Sequence, residues 1–179
     1  MKKEGASAHA RNTYATFSSA AALSSIEMLE ELFFTLALVN NLFLISIFLI
    51  RGTRGIAPLQ RIGPVYLLLA IPAVLGIVLV FQEQKALQYA IFLGIFVAFL
   101  AVEGLYDFVW KLPFRQSWKL AAPYLALYFA MNYGFVVMVW KTSLEGGLLM
   151  AALFILQILV NLVTHPPMRT KKATRNEAG

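Results

Sequence analysis

Apolar residues gather in five runs, at 32–50, 62–81, 86–102 (reaching toward 110), 120–140 and 146–164, with short polar connectors between them. Each run is close to the ~20 residues a helix needs to cross ~30 Å of hydrocarbon at 1.5 Å per residue. Apolar and polar positions do not alternate strictly within the runs, which argues against membrane β-strands. The pattern predicts an all-α membrane protein: a bundle of five transmembrane helices at about 26–50, 62–81, 86–110, 119–140 and 146–165, within a domain spanning 25–165. Residues 1–24 read as a polar, disordered tail and 166–179 as a basic tail.

Local signals refine the ends. Ser24 and Glu27 match a capping box, placing the start of the first helix ahead of its apolar part. Gly52, Gly55 and Pro58 break the first helix from the second, Pro113 interrupts the third connector, and Pro166-Pro167 ends the fifth helix. Pro72 lies mid-run in the second helix and predicts a kink there.

Composition agrees with the pattern. The chain is 60% hydrophobic and 13% charged, where soluble domains are about half apolar and about a quarter charged. Its formal charge is +6, which raises nucleic acid as a partner, but the cations are not scattered. Arg51, Arg54, Arg61, Lys111, Arg115, Lys119, Arg169, Lys171, Lys172 and Arg175, ten of the fifteen, follow the first, third and fifth runs. By the positive-inside rule this predicts an extracytoplasmic amino end, a cytoplasmic carboxyl end, and a place in the plasma or inner membrane. Attraction to anionic headgroups on the cytoplasmic side accounts for the charge, and no nucleic-acid partner is expected. Trp110 and Trp118 fall at one interface and Trp140 at the other, as anchors do. Lys2 and Lys3 precede polar rather than apolar residues, so no cleavable signal is expected. The chain has no cysteine, which excludes disulfides and thiolate chemistry.

Two small-residue ladders recur at a spacing of four. Ala90, Gly94 and Ala98 lie on the third helix, and Ala122, Ala126, Ala130 and Gly134 on the fourth. Such faces let membrane helices approach closely. Matched depth predicts that they meet, Gly94 near Ala130 and Ala98 near Ala126. The fourth helix also carries a polar stripe of Tyr124, Tyr128 and Asn132, and the fifth carries Gln157, Asn161 and His165. Polar groups in hydrocarbon need partners, so these stripes are expected to face each other, Tyr128 near Gln157 and Tyr124 near Asn161. They serve either as interhelical glue or as one wall of a polar pathway. Asn40 and Asn41 fall near the midplane of the first helix, where an amide pair locks helices together or lines a small cavity.

Glu103 and Asp107 stand one turn apart near the cytoplasmic end of the third helix. A carboxylate in the hydrocarbon costs at least ~2.5 kcal/mol and is a functional-site hypothesis by default. Pairing with Lys111 or Arg115 is the plain expectation. The sharper one is a proton- or cation-handling site, Glu103 as carrier and His165 as relay. Two carboxylates and a histidine also suit a divalent ion, but Glu-x-x-x-Asp is a weak signal, and neither a metal nor a cofactor is expected. Nucleotide, zincin and serine-hydrolase motifs do not occur, so no catalytic residue is assigned. The leading expectation is a non-enzymatic subunit or accessory factor of a membrane assembly, bound to a protein partner or to copies of itself. A small proton- or cation-linked transporter built on Glu103 is the alternative, and an interfacial lipid-headgroup enzyme the third.

Overall fold

The computed structural model describes residues 4–54, 59–110 and 117–164, with side chains described from residue 27 onward except at 54, 59–61 and 108. Every described element is helical: α1 (Glu4–Arg54), α2 (Leu59–Leu67), α3 (Ala70–Gln82), α4 (Leu87–Gly104), a π-turn (Leu105–Val109), α5 (Trp118–Thr142) and α6 (Leu144–Thr164). Five stretches are long and apolar enough to cross a membrane: Glu27–Thr53, Ile62–Gln82, Leu87–Asp107, Trp118–Thr142 and Leu144–Thr164, here the first to fifth spans. Large apolar side chains such as Leu75, Phe81, Ile155 and Val163 stand exposed on their outer faces. A helix apolar on all sides is what a hydrocarbon environment selects.

The first helix differs from its expected form. It runs from Glu4 rather than starting at the Ser24–Glu27 pair. Residues 6–51 contain neither glycine nor proline and include many alanines, so nothing stops the helix from extending. The tail at 166–179 and the prolines at 58, 113, 166 and 167 lie outside the described residues.

The second span is broken, four residues before the proline expected to kink it. Pro72 offers no N–H to the Leu68 carbonyl and its ring crowds that oxygen. The backbone responds with short-range bonds, Leu68 N–H to Val65 O (3.2 Å), Leu69 N–H to Tyr66 O (3.1 Å) and Ile71 N–H to Leu68 O (3.0 Å), which separate α2 from α3. The α3–α4 corner closes with Lys85 N–H on Val80 O at 2.9 Å, and Gln84 takes the left-handed conformation at φ 52°. Between α5 and α6 the joint is Ser143, whose hydroxyl caps α6 by accepting the Gly146 N–H at 3.1 Å.

The spans pack as a ring, first to second to third to fourth to fifth and back to the first, which also touches the fourth. The first, third and fourth are 44% buried over their apolar windows, against 22% and 17% for the second and fifth, so the former build the core. On α1 the buried face runs Leu29, Phe33, Leu36, Ala37, Asn40, Asn41, Leu44, Ile47 and Phe48, the three-and-four spacing of one helix side.

The two ladders do not pack as matched faces. Ala90 packs with Leu29 and Val80 from the first and second spans, a Cβ on Gly94 would find nothing within 4 Å, and Ala126 is exposed. The third and fourth spans instead join through rings: Phe96 on Phe135 (5.2 Å), Phe99 on Tyr124 (5.4 Å) and Phe99 on Tyr128 (6.2 Å). Aromatic pairs bury far more area than alanines and set the helix spacing themselves. Of the ladder residues, Gly134 does lie against the third span, where a Cβ would strike the Phe92 ring. Ala98, Ala122 and Ala130 are half-buried.

Candidate functional site

The bundle interior holds a set of polar side chains that the apolar runs conceal. Asn40, Asn41, Asn132 and Gln157 are at most 1% exposed and Glu103 5%. Consecutive positions on a helix point ~100° apart, so Asn40 and Asn41 serve different neighbours. Asn40 Oδ1 accepts the Tyr66 hydroxyl of α2 at 2.7 Å. Asn41 turns to α6, its Oδ1 accepting a short bond from Gln157 Nε2, while its Nδ2 donates to Ala37 O at 2.7 Å and faces Met150 Sδ at 3.9 Å.

The chain continues into the fourth span. Tyr128 O–H donates to Gln157 Oε1 at 2.9 Å, and Asn132 Nδ2 donates to the Tyr128 carbonyl at 2.9 Å. Three spans are thus tied through Gln157, with the Tyr128 ring held by Phe48, Phe99 and Phe154. Two buried polar atoms, Asn40 Nδ2 and Asn132 Oδ1, have no hydrogen-bond partner among the described residues. An orphaned buried polar atom costs about 1–3 kcal/mol, so these two atoms weigh against the stability that the hydrogen-bonded part of the network supplies. Tyr124 lies against Phe99, and Asn161 is half-buried on α6.

Glu103 closes the last turn of α4 and lies in electrostatic reach of Tyr66, which also senses Tyr124 and Tyr128. The π-turn follows at once, with Trp110 N–H on Leu105 O at 2.8 Å, the i to i−5 bond of a widened turn. Asp107 sits within it and meets Arg51 of α1, Nη2 to Oδ2 3.4 Å. Glu103 therefore points into the bundle, while Asp107 sits at its edge. Lys111, Arg115 and His165, the partners and relay expected for these carboxylates, lie outside the described residues.

Two participants escaped the sequence reading. Tyr66 counts as apolar in a hydropathy run although its hydroxyl ends at the midplane amides. In the sequence Arg51 reads as a loop cation, yet the first and third spans run parallel, which brings the end of α1 level with Asp107. Counting depth along both spans would have revealed it. Among the described residues no cluster of three or more metal-ligating His, Cys, Asp or Glu occurs. No protein family model, curated protein or solved structure matches this chain.

Proposed function

We propose that this chain is a non-enzymatic subunit or accessory factor of an assembly in the plasma or inner membrane, joined to another protein or to copies of itself. One observation carries the reading: the small-residue faces of the third and fourth spans are not fully used inside the bundle. Ala126 is exposed, and a Cβ on Gly94 would meet nothing within 4 Å. Faces of this kind let a further helix approach closely, and packing drives association where lipid offers no hydrophobic gain. The hydrogen bonds from Tyr128 through Gln157 to Asn41 fit locks that hold the bundle while its outside serves a partner. The charge bias supports an extracytoplasmic amino end, with the Arg51 end facing the cytoplasm and its anionic headgroups.

The test is affinity purification of the full chain from native membranes in a mild solubiliser, beside Ala126→Leu. Wild type is expected to retain a stoichiometric partner or a second copy. The variant is expected to lose it while unfolding in detergent at the same point, because Ala126 lies outside the bundle. A lone wild-type chain, or undiminished retention by the variant, refutes the reading.

The burial of Glu103 favours a second reading, a small proton- or cation-linked transporter using Glu103 and the polar faces of the fourth and fifth spans. Under it, Glu103→Gln abolishes uptake into liposomes while the fold persists. Unchanged uptake removes it.

A further inference from the structure

We propose that Glu103 is a proton-binding site, whose carboxylate takes up one proton inside the bundle beside the Tyr66–Asn40 pair, with the Arg51–Asp107 ion pair at its mouth. The step is a simple protonation, carboxylate plus proton giving carboxylic acid, which takes the site from one negative charge to none. It goes beyond the assembly reading and holds whether or not any solute crosses the membrane.

Placement comes first. Glu103 is 5% exposed on the final turn of α4. Its neighbour Gly104 abuts α2, where a Cβ would lie 3.2 Å from Leu67 Cδ1. That contact sets the turn carrying Glu103 beside Tyr66, which is buried and bonded to the equally buried Asn40. From the Arg51 end inward, accessibility falls through Asp107 and Arg51, both partly exposed, to Glu103 and then Tyr66. A graded row of polar groups from one surface to the midplane is the arrangement a proton requires, and intramembrane carboxylates mark such relays.

The donor and acceptor balance then selects the ligand. A hard metal cation needs about six oxygen ligands. Of the buried amide oxygens, three already accept a hydrogen bond, Asn40 Oδ1 from Tyr66, Asn41 Oδ1 from Gln157 and Gln157 Oε1 from Tyr128. One, Asn132 Oδ1 on the fourth span, has no partner among the described residues, which leaves far fewer than six. What Asn40 has left over is Nδ2, a donor without a partner among the described residues, which repels a metal ion. A proton needs one oxygen, and Glu103 supplies it.

The surroundings can respond to the change in charge. The titratable and charged groups around this turn are Tyr66 of α2, on which Glu103, Tyr124 and Tyr128 all bear, and the Arg51–Asp107 pair one turn beyond Glu103. The π-turn begins two residues after Glu103 and carries Asp107, so it links the buried carboxyl to the ion pair at the edge. Widened turns of this kind recur at functional sites.

The experiment is infrared difference spectroscopy of the full chain in lipid nanodiscs across a pH titration, reading the C=O stretch of protonated carboxyls and its sensitivity to deuterium. Wild type is expected to show one carboxyl band per chain that exchanges slowly with deuterium, is absent from Glu103→Gln and persists in Asp107→Asn. Circular dichroism checks the fold of each variant. Should Glu103→Gln fail to fold, Glu103→Asp decides: a band displaced in frequency supports the site, and an unmoved band overturns it. A wild-type chain without a slowly exchanging carboxyl, a band that survives in folded Glu103→Gln, or one lost from folded Asp107→Asn also overturns the proposal.

Discussion

The polar link between the fourth and fifth spans can be weighed by a double-mutant cycle on Tyr128 and Gln157. Tyr128→Phe deletes the hydroxyl and its 2.9 Å bond to Gln157 while keeping the ring against Phe48, Phe99 and Phe154. Interhelical hydrogen bonds in membranes average about 0.6 kcal/mol and reach about 1.7, so this variant should lose about 0.6. Gln157→Leu removes two bonds, to Tyr128 and to Asn41, and orphans a buried oxygen and a buried hydroxyl. Two average bonds together with part of one orphan cost of about 1–3 kcal/mol give a loss of about 2 kcal/mol, softened by the apolar fill of leucine. In the Gln157→Leu background the tyrosine hydroxyl is an orphan with no bond to lose, so adding Tyr128→Phe should cost nothing and should recover part of the orphan penalty. The coupling is therefore about 0.6 kcal/mol or more, in favour of the wild-type pair. The assay is reversible unfolding in mixed micelles followed by circular dichroism. Additive losses would refute the reasoning, because they would mean that water replaces either partner and the stripe is a wet surface rather than a lock.

Three further outcomes follow from local geometry. Gly147→Ala places a Cβ 2.7 Å from the Trp140 Cα, a backbone atom that cannot swing aside. The clash should cost about 1–3 kcal/mol and outweigh the roughly 1 kcal/mol helix gain. Gly94→Ala meets nothing and should stabilise by about 0.5–1 kcal/mol, so thermal unfolding in detergent should move oppositely for the two. Gln84→Gly should stabilise by about 0.5 kcal/mol in the same assay, since glutamine bears the strain of φ 52° and glycine does not; a fall in stability would argue against the left-handed corner. With no native cysteine to interfere, a single cysteine near Lys141 should react with an impermeant reagent from outside and one near Arg115 should not. The reverse labelling would invert the orientation.

The spans were legible in the sequence because bilayer thickness imposes one length on all of them, and the five stretches long and apolar enough to cross a membrane overlie the five apolar runs. Contacts were less so. A ladder at a spacing of four says that a face permits close approach, not which neighbour takes it, and Phe96, Phe99 and Phe135 decided the third-to-fourth contact. Pro72 was legible as a break but misplaced, because a proline acts on the carbonyl four residues behind it. Within the candidate site, the Tyr128–Gln157 contact could be reached by depth counting, whereas the partners of Asn40 and Asn41 could not. Tyr66 carries its polar atom at the tip of an apolar ring, and the π-turn after Glu103 leaves no residue signature at all.

The bond between Asn41 and Gln157 joins residues 116 positions apart, the first span to the last. At 5–20 residues per second a ribosome needs roughly 6–23 s to cover that distance. Through that interval Asn41 enters the membrane before its partner has been made, and its amide must be sheltered by the insertion machinery or by Ala37 alone. The bundle is therefore clasped from its last helix, and a chain cut short before residue 144 would leave the first span holding an unanswered amide in lipid.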